Sequence, residues 1–156
     1  MAEAKHFLEQ TGNDIEACVA ADVVRGSRRL LLNHGFSQLV ELTLANGRRL
    51  DVAALGADGT IVGIEIKVSV ADFKADEKWL EYLGYCDLFY FSVPPQFPHE
   101  ILPAHTGLIL ADRYGGEIVR ESPRENLHPS RRRAVTLRFA QIASMRLTRI
   151  LDPNCM

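Results

Sequence analysis

Two charges interrupt an otherwise apolar run. In "GTIVGIEIKVSV", Gly59 to Val70, Glu65 and Lys67 stand two residues apart among valines and isoleucines. Side chains alternate across an extended strand, so both project to one side while Val62, Ile64 and Ile66 project to the other. A second lone carboxylate, Asp51, lies in "RRLDVAAL", and a third, Glu41, in "LVELTL". Clustered carboxylates repel one another and are costly to bury unless a cation compensates. Hard oxygen ligands suit Mg2+ or Mn2+. The chemistry is therefore that of a divalent-metal site with a lysine beside it. The competing reading is a surface ion pair on a half-exposed sheet, worth about 0–1 kcal/mol. The same acid-x-Lys spacing recurs at Glu3–Lys5, Asp72–Lys74 and Asp76–Lys78, which read as ordinary solvated charges.

The elements that must position these groups follow from turn signals. Asn46-Gly47 and Asp58-Gly59 predict tight hairpin turns. They divide the segment into three antiparallel strands, Gln38–Leu44, Arg48–Leu55 and Ile61–Val68. Counting out from the second turn pairs Leu55 with Thr60–Val62 and brings Asp51 beside Glu65, within one register step. Counting out from the first places Glu41 opposite Val52, one step from Asp51. A first helix, capped by Asn13 or Asp14 and ended by Gly35, carries Ile15, Val19, Val23 and Leu30 on one stripe. A second follows Ser69, with Asp72 completing a pattern like a capping box, Phe73, Leu80 and Leu83 inward, and Gly84 as its stop. "DLFYFSV" is a fourth strand. Beyond a proline-rich loop, "TGLILAD" and "EIVRE" form a small β addition, and a last helix spans Ser130–Leu151. The order of helix, three-strand meander, crossover helix and fourth strand predicts a mixed α/β sheet flanked by helices.

A chain of 156 residues suits a single domain over 1–156. It has no apolar run that would span a membrane, and its N-terminus lacks the apolar stretch of a signal peptide, which predicts a cytoplasmic protein. Cys18, Cys86 and Cys155 form neither a disulfide framework nor a zinc spacing, and His6, His34, His99, His105 and His128 show no ligand spacing. The net charge of −2 argues against a generic nucleic-acid coat, but its distribution is uneven. From Asn126 to Leu151 there is no acid, while Arg131, Arg132, Arg133, Arg138, Arg146 and Arg149 all fall there. Arg131, Arg138 and Arg149 lie along one line of the last helix, beside an apolar stripe of Val135, Phe139, Ala143 and Ile150. If the stripe docks, the arginines face outward and could track a DNA backbone. A solvated face is the competing reading.

Three longer segments, "NGRRLDVAAL", "EIKVSVADFKADEKWLEYLGYCDLFYFSVP" and "TGLILADRYGGEIVRE", resemble the MmcB family of bacterial DNA repair proteins, within the PD-(D/E)xK nuclease superfamily. The likeness covers Glu41 to Phe139. Where the superfamily name has Pro-Asp, this chain has Leu50-Asp51. The resemblance implies a restriction-endonuclease-like core, a DNA repair setting with DNA and other repair proteins as partners, and metal-dependent hydrolysis of phosphodiesters. It implies Mg2+ (or Mn2+) on Asp51, Glu65 and the backbone carbonyl of Ile66. Lys67 would orient the attacking water, with Glu41 as an outer ligand or general base. Lys74, Lys78 and Tyr82, at spacings of four along the second helix, could contact phosphate beside that site; a solvated face is the competing reading. A non-catalytic DNA-binding or scaffold protein on the same fold stays open, as does a homodimer.

Overall fold

The computed structural model describes residues 2–154. The side chains of Glu3, Lys5 and His6, and the whole of Cys155, lie outside the described residues. Both predicted hairpins form, and Gly47 and Gly59 take φ of +82° and +84°, the left-handed conformation that such turns demand of their glycine. They join β1 (Ser37–Thr43), β2 (Arg49–Leu55) and β3 (Ile61–Ile66) into an antiparallel meander. The chain then crosses over through α2 (Val70–Ala75) and a 3-10 segment (Lys78–Tyr85) to β4 (Leu88–Val93), which runs parallel to β3. A short 3-10 turn at His99–Ile101 precedes β5 (Gly107–Ala111), parallel to β4 in turn, and β6 (Gly116–Arg120) closes the edge antiparallel to β5. The predicted β addition is thus a continuation of one mixed six-stranded sheet in the order β1 to β6.

Helices cover both faces. On one, α1 (Ala2–Asn33) lays Val23, Leu30 and Leu31 over Val52, Val62, Ile64 and Ile66. On the other, Trp79 and Tyr82 of the 3-10 segment and Val135 of α3 (Pro129–Leu151) meet Leu50, Phe89 and Phe91. Phe91 takes Trp79 and Phe89 edge-on, at centroid distances of 5.4 and 5.3 Å. Covered on both sides, β3 is buried at every position. Each such valine or isoleucine contributes about 1.5–3 kcal/mol, which is why the strand reads as a continuous apolar run and why its charges stand out. A Cβ on Gly26 would meet the carbonyl oxygens of Asp112 and Gly115 at 2.1 and 2.4 Å, so only glycine lets α1 lie against the β5–β6 turn.

Three expectations are corrected. The first helix passes through Asn13 and Asp14 without using either as a cap, and Ile15 is exposed, because the sheet underlies α1 only from about Val19 onward. The second helix is broken. Ser69 caps it, accepting from the Asp72 N–H, but α2 ends at Ala75 and Asp76 adopts φ −113°, ψ 102°. The chain resumes with three-residue periodicity, which buries Trp79 and Tyr82 and turns the expected core residue Leu80 outward. In α3, Val135, Phe139 and Ala143 dock as expected, but Ile150 is exposed.

Candidate functional site

The site lies where the β2–β3 ladder stops. Beyond the Val52–Ile64 pair the strands no longer exchange backbone bonds. Instead Asp51 Oδ2 accepts the Ile66 N–H at 2.8 Å. A carboxylate thus replaces the carbonyl that would have continued the ladder, at the register step that sets Asp51 beside Glu65.

Glu65 and Lys67 follow on the same face, and both are nearly inaccessible, with side-chain exposures of 7 % and 4 %. Lys67 donates to Glu65 Oε1 at 3.2 Å and more closely to Asp76 Oδ2 at 2.7 Å. Asp72 Oδ1 stands 3.8 Å from the same ammonium. The Lys67 backbone N–H donates to Ser92 O at 3.0 Å, so β4 fixes the root of this side chain. The other oxygen of Glu65, Oε2, is buried without a hydrogen-bond partner.

Four carboxylates around one ammonium produce opposed shifts. Burial, and then the neighbouring charge of Asp51, push the Glu65 carboxyl up to about 8, against the pull of Lys67. Burial likewise raises Asp51, against the Ile66 N–H and Lys67. Burial also disfavours the Lys67 ammonium, but Asp76, Glu65 and Asp72 together outweigh it and hold its pKa above the ordinary value. Asp76 goes the other way: burial works against its charge, yet the bonds from Lys67 and the Lys78 N–H keep it below the ordinary range. The Tyr82 hydroxyl is pushed up to about 12 by burial and the nearby acids.

Two cavities flank the carboxylates. One, of about 440 Å³, has Asp51, Glu65, Asp72 and Asp76 in its wall and Arg48, Arg49, Lys78 and Tyr82 around it. The other, of about 280 Å³, lies toward α1, between Val24 and the same Asp51, Glu65 and Asp72. The arrangement is an acidic floor with one embedded lysine and a basic rim, open to solvent from two sides.

Asp51, Glu65 and Lys67 therefore come together as the spacing predicts, with the backbone of Ile66 bonded to Asp51 between them. Glu41 does not join them. It stands at the position opposite Asp51, one step from the predicted pairing with Val52, which Val40 takes instead. Its backbone has φ +53°, its side chain is 57 % exposed and pairs with Arg49 at 3.4 Å, and it lines neither cavity. The left-handed kink turns the carboxylate out of the strand's alternation. Of the basic candidates, Lys78 and Tyr82 line the larger cavity, with Tyr82 donating to Arg49 O at 3.1 Å, whereas Lys74 is exposed beyond it. The break after α2 is what separates Lys74 from the other two.

Four of the six arginines of α3 are held by the protein's own groups, contrary to expectation. Arg131 lies 4.5 Å over the Tyr85 ring and donates to Gly84 O. Arg132 grips Asp87 with two bonds of 2.6 and 2.7 Å and also reaches Gly59 O. Arg138 donates to Thr43 O, and Arg146 to the carbonyls of Val40 and Glu41, so both cover the exposed edge of β1. Arg131, Arg133, Arg138 and Arg149 all remain exposed. Ile61, which opens β3 just past the Gly59 turn where Arg132 docks, precedes Glu65 by about 13 Å at ~3.3 Å per residue. The start of α3 and the acidic floor are thus at opposite ends of β3, whereas Arg138 and Arg146 lie on β1 at the level of Arg49 and Asp51. Buried Cys86, its thiol pushed up to about 12 by burial, is a packing residue.

Asp72 and Asp76 were hidden in the sequence. Their acid-x-Lys spacing suggests solvated pairs with Lys74 and Lys78, yet Asp76 is the nearest partner of Lys67. No local signal marks it, because the contact depends on where the broken crossover places residue 76. Arg48 and Arg49 carried one signal, their position just past the first turn and next to Asp51.

A buried pair of strand-borne carboxylates beside a lysine, on a mixed sheet with a parallel crossover, is the class of arrangement that the fold and site define. A family model described as DNA repair protein MmcB-like matches residues 10–154, and the chain belongs to that family. Among solved structures, it is similar to the SPO1766 protein of unknown function from Silicibacter pomeroyi, with 44% sequence identity, a TM-score of 0.85, and coverage of 88% of this chain and 94% of that one. No curated protein matches. Among the described residues, no helix is long and apolar enough to cross a membrane.

Proposed function

We propose that this member of a DNA repair family is a metal-dependent DNA nuclease, hydrolysing phosphodiesters at the Asp51–Glu65–Lys67 site. The observation that carries the reading is Glu65 Oε2, a buried carboxylate oxygen without a partner, beside a second carboxylate on the next strand. A folded protein rarely leaves such a group unsatisfied unless something else uses it.

The donor set fits a hard divalent cation. Asp51 and Glu65 offer oxygens on adjoining strands; burial raises both carboxyls and the charge of Asp51 raises Glu65 further, and positive charge between them would offset both effects. The Ile66 carbonyl is the further ligand proposed. Among the described residues no three His, Cys, Asp or Glu side chains group to hold a metal ion, so remaining ligands would be water or substrate phosphate. When bound, Mg2+ or Mn2+ supplies Lewis-acid polarisation of a phosphate oxygen and a more acidic water. The chain's own residues do the rest. Lys67 presents a fixed ammonium where charge develops on the phosphorus oxygens. Asp76 keeps it protonated and sets its direction. Arg49 and Lys78, on the basic rim, hold the flanking phosphates as positioning contacts without base readout.

A second reading, a non-catalytic DNA-binding or scaffold protein, draws on one observation. Lys67 is already engaged by Asp76 at 2.7 Å and Glu65 at 3.2 Å, as in a purely structural network. A cleavage screen on single-stranded, duplex, flapped and branched DNA with Mg2+ and with Mn2+ separates the two. Cleavage that disappears in Asp51→Asn supports the nuclease; DNA binding without cleavage in either metal leaves the scaffold.

A further inference from the structure

Helix α3 has two apolar faces, and only one is used. Val135, Phe139 and Ile142 dock on the sheet. The opposite side carries Leu137, Leu147 and Leu151, which are 54 %, 55 % and 75 % exposed. With Arg133, Ala140 and Ser144, also exposed, they recur at alternating steps of four and three. That is the spacing of a seam that meets another helix, not of a solvated face.

The seam is palindromic. Its two small residues, Ala140 and Ser144, sit at the middle, with Leu137 and Leu147 equally far out on either side. Laid antiparallel on a second copy, Leu137 meets Leu147, Ala140 meets Ser144, and Arg133 meets Leu151. Small residues at the crossing let the backbones approach, and the leucines close the contact at both ends.

Charge supports the same occupant. Six arginines on one helix ought to forbid self-pairing, but five stand off the seam. Arg131, Arg132, Arg138 and Arg146 are turned to the protein's own carbonyls, ring and carboxylate, and Arg149 lies round the helix from the seam. The positions flanking the seam are Ala134, Thr136, Gln141, Ala143, Thr148 and Ile150, all uncharged. The one arginine on the seam, Arg133, would sit beside the partner's helix C-terminus and exposed Asp152, both negative. A parallel pair would set Arg133 against Arg133 instead.

We propose that the protein forms a two-fold symmetric dimer through antiparallel packing of α3 on α3, centred between Ala140 and Ser144. The contact is isologous, as a two-fold axis requires. It is independent of whether the acidic floor cuts DNA, because the seam and the floor share no residue.

Sedimentation equilibrium of the full chain over a dilution series, micromolar to hundreds of micromolar, tests the proposal. The wild type should dissociate reversibly from dimer to monomer. Leu137→Glu and Leu147→Glu should each raise the dissociation constant about tenfold or more by placing a charge in an apolar contact. Because both residues face away from the core, circular dichroism should stay unchanged, and so should melting at dilutions where the wild type is monomeric. Arg133→Asp should weaken the dimer, and adding Asp152→Arg in the same chain should restore it. A wild type that is monomeric throughout the series overturns the proposal. So does a dimer indifferent to Leu137→Glu and Leu147→Glu, or one that the charge swap fails to restore.

Discussion

Strand β3 has a buried ion pair at each end, and the two are built differently. At its start, Asp87 is fully satisfied. One oxygen accepts the Ile61 N–H, the other the Leu127 N–H, and Arg132 closes on both. Burial alone would raise this carboxyl, but those bonds hold it down at about 2. At the strand's end, Lys67 is shared among three acids, one oxygen of Glu65 is left over, and the carboxyls of Glu65 and Asp51 are raised. Similar burial thus gives opposite electrostatics. The first arrangement ties α3 and the β3–β4 ends together. The second keeps repulsion in place, which a protein gains nothing from unless a cation enters.

The largest expected effect breaks the satisfied end. Arg132→Ala leaves Asp87 charged and buried, and should cost about 3–5 kcal/mol in urea unfolding at neutral pH. Because Asp87 is depressed, its contribution is present above the unfolded-state value of 3.8 and is lost as pH falls toward 2. Arg132→Ala should flatten that acid limb. An unchanged midpoint would mean that the Asp87 network is ornamental.

Next comes the unsatisfied end. Lys67→Ala should fold, bind DNA and lose about 10²–10³ in single-turnover cleavage rate, since an electrostatic contact aimed at the transition state acts on rate more than on binding. Equal rates in the variant and the wild type would move the chemistry elsewhere.

A smaller effect separates the two ends by sign. Glu65 is raised from 4.5 to about 8, so between those values the folded protein holds a proton that the unfolded chain releases. Stability from this group therefore falls as pH rises through that window. Glu65→Gln should melt higher than wild type at pH 8, by about 1 kcal/mol or more, and no higher at pH 4. A variant less stable at both values would place Glu65 among the satisfied groups, with Asp87.

How much of this could be read from the chain follows the range of the interactions involved. The hairpins were legible because Asn46-Gly47 and Asp58-Gly59 act locally, and they fixed Asp51 beside Glu65. The charges of "IEIK" were legible because burial on both faces makes an apolar run in which any charge is conspicuous. The break at Asp76 was not, since it rests on a bond to Lys67, nine residues away, across the end of the sheet. The role of the α3 arginines was not legible either. Arg138 and Arg146 bond to carbonyls of β1 about a hundred positions earlier, and helical spacing says which residues align but not which side docks. Glu41 was misplaced by one register step for a third reason: a non-glycine residue at positive φ leaves no mark in the sequence.

The central claim, that the acidic floor exists to take a divalent cation, is tested most directly by calorimetric titration of Mn2+ into wild type, Asp51→Asn and Glu65→Gln at pH 7. Mn2+ should bind to the wild type, with protons released as Glu65 ionises, and that binding should be lost in both variants. Equal binding in all three proteins, or none in the wild type with or without DNA, would contradict it.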